Sequence, residues 1–264
     1  VPYRVDVRHA GDAALDRLVE LGAIDAELGD DGAIAALMPD SVAPERVKRA
    51  LGADDISVSP AIGRDAESVW LLNPRPIHIG RLRIVPAHTE DDGGALRLID
   101  AAAFGTGRHP TTALCLEALE NALQITPPDA VLDVGTGSGV LALAALMMGV
   151  PRALGIDIDE EALRVAAENA RVNALDRRLQ LARGGPETVA GAWPLILANV
   201  LAAPLIEMAP ALVRLVGHHG QLVLSGIPAS VEQDVDEAYR RLGMRRARAT
   251  SRAGWVALVL LASW

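Results

Sequence analysis

The sequence has 264 residues and a formal charge of -9, from 34 Asp+Glu against 25 Lys+Arg, with 50% hydrophobic residues and one cysteine. That length holds one or two domains with cores of their own, the acid surplus argues against a grip on nucleic-acid phosphates and suits a basic partner, and a single thiol excludes an intrachain disulfide. No basic-then-apolar leader opens the chain and no apolar run nears the roughly 20 residues that span a bilayer, so the expectation is a cytoplasmic protein without membrane contact.

Tyr3, Val5 and Val7 alternate with Arg4, Asp6 and Arg8, which predicts a half-exposed strand. Leu15, Leu18 and Leu21 follow at helical spacing over Asp12 to Leu21, and Ile24, Ala26 and Leu28 alternate with Asp25 and Glu27. A Gly29-Asp30-Asp31-Gly32 turn leads into Ala33 to Met38. A short helix over Pro44 to Leu51 and a strand with Ile56 and Val58 complete the order β-α-β-β-α-β, which predicts a small α+β domain of ferredoxin-like layout over residues 1–62. Residues 1 to 63 carry 12 Asp+Glu and 6 Lys+Arg, a net -6, so most of the surplus acid lies in this unit, which reads as a recognition surface.

Residues 63–76 read as a connector, because Pro74 and Pro76 oppose a continuous helix. From residue 77 to 264 a second domain is expected, beginning with strands around Gly80 and over Ala95 to Asp100. The stretch AFGTGRHPTTALCLEAL, Ala103 to Leu119, has a loop at Gly105 and Gly107 and then a helix with Pro110 in its first turn. Thr111 and Thr112 open that helix, where hydroxyls and backbone amides suit a carboxylate. Cys115 lies among Leu114, Leu116 and Leu119 and reads as a buried thiol.

Val131 to Asp157 is a strand–loop–helix–strand unit, VLDVGTGSGVLALAALMMGVPRALGID. Gly135, Gly137 and Gly139 let the backbone approach a ligand, and an acidic residue at the tip of the next strand, Asp157, suits a ribose diol. A dinucleotide fingerprint would place its third small residue at position 140, where this chain has Val140. With Asp133 before the glycines, the pattern resembles the first motif of seven-stranded S-adenosylmethionine-dependent methyltransferases. Beyond it, a helix over Asp159 to Asn173 with Leu163, Ala166, Ala167 and Ala170 inward precedes a strand at Leu179 to Ala182. PLILANVL, Pro194 to Leu201, is an apolar strand that turns polar at Asn199. A helix over Leu205 to Val216, a strand over Gln221 to Ser225, a helix over Val231 to Leu242 and strands over Met244 to Ala249 and Trp255 to Leu261 follow. This alternation predicts a doubly wound α/β sheet with a closing hairpin. The arginines from Arg240 to Arg252 read as a solvated helix end and edge strand rather than an RNA contact.

AFGTGRHPTTALCLEAL, VLDVGTGSGVLALAAL, GIDIDEEALRVAAENARVN and LANVLAAPLIEMAPAL stand in this order, and with them the chain resembles the PrmA family, methyltransferases of large-subunit ribosomal protein L11. The resemblance runs over about residues 66 to 259. It implies a Rossmann-like seven-stranded sheet, S-adenosyl-L-methionine as cofactor, and amino groups (lysine side chains and the N-terminal amine) of a basic ribosomal protein as acceptors. It implies cofactor contacts at Phe104, Gly105, Thr106, Gly107, Thr112, Asp133, Gly135, Gly137, Gly139, Asp157, Ile158 and Asn199. Asn199 and His109 are the candidate catalytic residues: Asn199 to accept hydrogen bonds from the amine or cofactor, His109 as a base or an orienting group. No metal is expected, nor direct nucleic-acid binding, and the chain reads as a monomer. The pattern departs from the family at Arg108, at Ala101-Ala102 and at Arg83, on the acceptor side. Other readings are a methyltransferase of the same fold with a different protein acceptor, a non-catalytic S-adenosylmethionine-binding assembly factor, and a nucleotide-dependent oxidoreductase, which Val140 disfavours.

Overall fold

A computed structural model describes residues 2–8, 12–28, 32–52, 56–60, 76–87, 94–99, 109–125 and 127–264. Its first six elements are β1 (Tyr3–Val7), α1 (Asp12–Glu20), β2 (Asp25–Leu28), β3 (Ile34–Met38), α2 (Pro44–Leu51) and β4 (Ile56–Pro60). The alternation read from Tyr3 to Val7 is realised as buried and half-buried residues in turn. The strands form one antiparallel sheet of order β2-β3-β1-β4, with Val5 opposite Ala36 on one side and Val58 on the other. This is the ferredoxin-like arrangement that the element order implied. Val5, Leu15, Leu18, Ile34, Met38 and Val47 close a core of their own. Helix α2 starts on Pro44 and stops at Gly52, whose left-handed φ of 58° lets its N–H reach the Lys48 carbonyl.

The connector from 63 lies outside the described residues up to position 75. Three short strands follow: β5 (Ile77–Ile79) and β6 (Leu82–Pro86) form a hairpin, and β7 (Leu96–Leu98) lies parallel to β6. Their apolar residues Ile79, Leu82, Ile84, Leu96 and Leu98 join the same core as α3 (Pro110–Ile125).

The main sheet has β8 (Ala130–Val134), β9 (Arg152–Asp157), β10 (Leu179–Arg183), β11 (Trp193–Asn199), β12 (Val216–Pro228), β13 (Met244–Arg252) and β14 (Trp255–Ala262), ordered β10-β9-β8-β11-β12-β14-β13. The first five run parallel, and β14 inserts antiparallel between β12 and β13. Helices α4 (Val140–Met147), α5 (Glu160–Val172), α6 (Ala202–Leu215) and α7 (Glu232–Arg240) connect them. The sheet is apolar on both faces, as a doubly wound sheet must be. Val131, Leu195, Leu197 and Val223 face α3 and α4, while Leu132, Ile196, Leu222 and Leu224 face α6 and α7. Each fully buried leucine contributes about 1.5–3 kcal/mol of transfer free energy. Buried Tyr239 ties α7 to α6 by donating its hydroxyl to the Leu205 carbonyl at 2.7 Å.

Among the differences from the sequence reading, two boundaries and one helix face have a clear cause. Strand β11 stops at Asn199, and Leu201, at φ -60° and ψ 153°, precedes the first turn of α6 instead of extending the strand. Strand β12 begins at Val216 because Trp193 of β11 supplies a ladder partner there, which apolarity alone does not report. On α5 the buried residues are Ala162, Val165, Ala166, Asn169 and Ala170, so Leu163 and Ala167 sit at the margin. Asn169 takes a core position because its amide is fully hydrogen-bonded, as the site below shows.

Candidate functional site

The sheet order reverses between β8 and β11, and in open α/β sheets the crevice for a ligand lies at the carboxyl ends of the strands beside that point. The chain places Gly135, Asp157 and Asn199 there, at or just beyond the ends of β8, β9 and β11, with Ser225 of β12 paired to Asn199.

The loop after β8 is fixed by backbone bonds. Gly135 and Thr136 both donate to the Ile156 carbonyl, at 2.9 and 3.0 Å, and Gly139 donates to the Thr136 carbonyl at 2.8 Å. Gly135 has φ +69°, and a Cβ on it would stand 2.5 Å from Val200 Cγ1, so both conformation and space require glycine. Gly139, at φ +81°, opens α4, and a Cβ there would press on Ala166 of α5 at 3.1 Å.

Asp133 lies beneath this loop with no exposed surface. Its Oδ2 accepts from Thr136 Oγ1 at 2.7 Å and from the Ala142 amide at 3.2 Å, while Oδ1 has no hydrogen-bond partner among the described residues. Burial lifts this carboxyl to about 6, against the pull of the Thr136 and Ala142 hydrogen bonds. Asp133 thus shapes the loop from below. The Cys115 thiol is fully buried, and its pKa is raised by burial and by the Asp133 charge.

Asp157 is half-buried at the tip of β9. Its Oδ2 accepts from the Gly137 amide at 2.9 Å and its Oδ1 from the Asp159 amide at 3.0 Å. Each oxygen keeps a lone pair for a further donor, which is what a vicinal diol supplies. Ile158 beside it is 75% exposed, an apolar surface at the mouth of the crevice.

At the other side of the switch point, Asn199 Nδ2 donates to Thr112 Oγ1 at 3.3 Å. Asn199 Oδ1 is buried and takes no hydrogen bond among the described residues, so an acceptor stands ready for a donor from a ligand. The Thr111 and Thr112 side chains are buried at the start of α3. Ser225 Oγ donates to the Thr111 carbonyl at 2.9 Å, and His109 Nδ1 stands 2.7 Å from Thr111 Oγ1. His109 is 5% exposed, and burial lowers its pKa to about 4. Phe104, Gly105, Thr106, Gly107 and Arg108 lie outside the described residues.

The structure therefore brings Gly135, Gly137, Gly139, Asp157, Ile158, Thr112 and Asn199 to one crevice, with Asp133 below it and His109 packed behind Thr111. Three residues escaped the sequence reading. Ser225, the last residue of the strand read from the sequence, pairs with Asn199 inside β12, which runs on to Pro228. Asn169 accepts from the Ile99 amide at 2.7 Å and donates to the Ser138 carbonyl at 2.9 Å, clamping the glycine loop to the segment after β7. Trp255, whose ring centroid is 5.2 Å from that of His109 at an interplanar angle of 68°, carried no local signal at all.

This chain is similar to known proteins over most of its length. The model of the family described as ribosomal protein L11 methyltransferase (PrmA) matches residues 25–262. The ribosomal protein L11 methyltransferase of Pelobacter propionicus is 40% identical over 210 residues, 76% of this chain and 68% of the relative. That of Chromohalobacter salexigens is 43% identical over 199 residues, 73% of this chain and 65% of the relative. The chain thus spans about two thirds of the length of these relatives. Among solved structures, a ribosomal protein L11 methylase from Lactobacillus delbrueckii subsp. bulgaricus superposes with a TM-score of 0.65 at 31% identity, over 70% of this chain and 97% of that one.

Proposed function

We propose that this chain, which belongs to the ribosomal protein L11 methyltransferase family, transfers methyl groups from S-adenosyl-L-methionine to amino groups of a large-subunit ribosomal protein, L11. The observation that carries the reading is the unsatisfied, buried Asn199 Oδ1 at the carboxyl end of β11, beside the switch point whose other side holds Asp157 and the glycine loop. The residues present fit such a cofactor. Asp157 has acceptor capacity left for the ribose hydroxyls, Ile158 offers an apolar face to the base, and Thr112 with Asn199 stands where the methionine end would lie. The family resemblance adds Phe104 to Gly107 as the loop over that end. Asp133 acts one step removed, through Thr136 and the Ala142 amide.

When bound, the cofactor supplies an electrophilic methyl group on a sulfonium. What the chain contributes is alignment, since an in-line displacement by an amine needs a near-attack geometry more than covalent help. The acceptor must arrive as a neutral amine, which for a lysine costs about 4 kcal/mol near neutral pH and for an N-terminal amine about 1. His109 is a poor base for that proton: its buried ring, with a pKa of about 4, holds a proton far more weakly than a lysine does. We assign it the orienting role behind Thr111. Asn199 Oδ1 is the group placed to accept a hydrogen bond from the attacking amine or from the cofactor's own ammonium.

The domain assignment that goes with this reading is recognition by residues 1–62, a connector over 63–76 and catalysis by 77–264. Support comes from the separate core of the small sheet and from its net -6 charge, 12 Asp+Glu against 6 Lys+Arg over residues 1 to 63, which suits a basic acceptor. No helix among the described residues is long and apolar enough to cross a membrane.

The test is incubation with methyl-labelled S-adenosylmethionine and purified L11. Label should enter the acceptor's amines, and Asn199→Ala should slow turnover roughly ten- to a hundredfold, the loss of one hydrogen bond to a charged group. Its cofactor affinity should stay near wild type. Asp157→Ala should do the reverse, raising the cofactor dissociation constant about 10- to 150-fold. No label in any ribosomal protein, with cofactor binding intact, would favour the non-catalytic binder.

A further inference from the structure

Helix α1 of the small domain meets the large sheet at the closing hairpin. Asp16 Oδ1 accepts from the Trp255 indole N–H at 2.7 Å, and Val19 packs against Leu114, Trp255 and Ala257. Gly254 makes room for this: it has φ +78°, and a Cβ there would stand 2.6 Å from Asp16 Oδ2. Trp255 is 4% exposed, and its ring meets His109 edge to face. His109 holds Thr111, Ser225 holds the Thr111 carbonyl, and the next residue, Thr112, takes the Asn199 amide. An unbroken series of direct contacts therefore runs from the small domain to the residue that faces the crevice.

We propose that Trp255 is a positioning residue that couples seating of the small domain to the cofactor pocket, with Asp16 orienting the indole and the indole edge fixing His109 behind Thr111 and Thr112. The inference rests on the reading above that Thr112 and Asn199 line the cofactor's methionine end. Its physical basis is the stiffness of each contact. The indole N–H is the donor of a charge-assisted bond to a half-buried carboxylate and is left buried and unpaired if that bond is broken, and edge-to-face rings have a preferred angle. Seating of α1 thus favours one arrangement of the His109–Thr112 turn. Linkage requires the converse: whatever binds that arrangement must favour seating by the same factor. The domain proposed to bring the acceptor would then tighten the hold on the methyl donor as it docks.

S-adenosylhomocysteine is the probe, with the full chain throughout. Its dissociation constant by calorimetry should rise about five- to tenfold in Asp16→Leu and in Trp255→Phe, which keeps a ring against His109 but lacks the N–H donor. Asp16→Asn retains an acceptor for the indole and should restore affinity to within about twofold of wild type. In the wild type, S-adenosylhomocysteine should slow hydrogen exchange of the α1 amides, a measurement that needs no variant to fold. Wild-type affinity in Asp16→Leu or Trp255→Phe, or α1 exchange indifferent to the probe, overturns the coupling while leaving the functional reading intact. Failure of the wild type to bind the probe at all overturns both.

Discussion

At the scale of single residues, burial decides what the candidate groups can do. His109 was a candidate base on sequence, and its position with 5% exposure makes it a neutral ring. Its folded pKa of about 4 lies below the ordinary 6.5, so the unfolded chain takes up the proton first as the medium is acidified. The stability that neutral His109 contributes is complete above pH 6.5 and is lost as the pH falls toward 4. His109→Gln lacks this titration. The gap in unfolding free energy between wild type and variant should therefore shift by about 2–3 kcal/mol, against the wild type, between pH 7.5 and 4.5. Urea titrations at the two pH values measure it, and a gap that does not move with pH would mean that the ring is open to protons.

At the scale of elements, side-chain amides of α5 and its C-cap do what a strand neighbour would do for β7 and the residue after it. Asn169 serves the Ile99 amide and the Ser138 carbonyl, and one turn on, Asn173 Oδ1 accepts from the Arg97 amide at 2.8 Å while its Nδ2 donates to the Arg97 carbonyl at 2.6 Å. Asn169→Ala strands the Ile99 N–H and frees the glycine loop on one side, so we expect a loss of about 2–4 kcal/mol in denaturant unfolding with little change in slope. A loss under about 0.5 kcal/mol, the level of a surface substitution, would remove the clamp from the account. This element also shows where reading the sequence stops. The glycine loop, Asp157 and Asn199 were legible because turn chemistry and strand ends are local signals. Asn169, Ser225 and Trp255 are not, because their partners lie 70, 114 and 239 positions away. For the same reason the buried stripe of α5 takes in Asn169, which periodicity of apolar residues alone does not place inward.

At the scale of the whole molecule, two cores on opposite faces of one sheet carry the large domain, and a third core of its own carries the small acidic one. The order of elements in both halves followed from periodicity. The contact between them did not, since it depends on a hairpin turn that leaves Gly254 bare of a side chain opposite Asp16. The sheet is open, and among the described residues its last strand in space, β13, has no neighbour beyond it. From Arg245 to Arg252 every residue of β13 is exposed. The register slips between Arg246 and Arg248, so that Arg245 stands opposite Leu261 and Arg248 opposite Val259, on one face, while Arg246 turns to Glu232 and Asp236 of α7 on the other. A free edge of this length is a template for intermolecular pairing unless something charged or kinked prevents it. The slip and the arginines are features of the kind that oppose such pairing. Replacing Arg245 and Arg248 by threonine should leave the melting temperature within about 2 °C, because neither is buried, and yet bring on concentration-dependent light scattering on storage. On that expectation the cost of losing the arginines falls on shelf life rather than on the fold, and it would surface in the storage vial long before it showed in a melting curve.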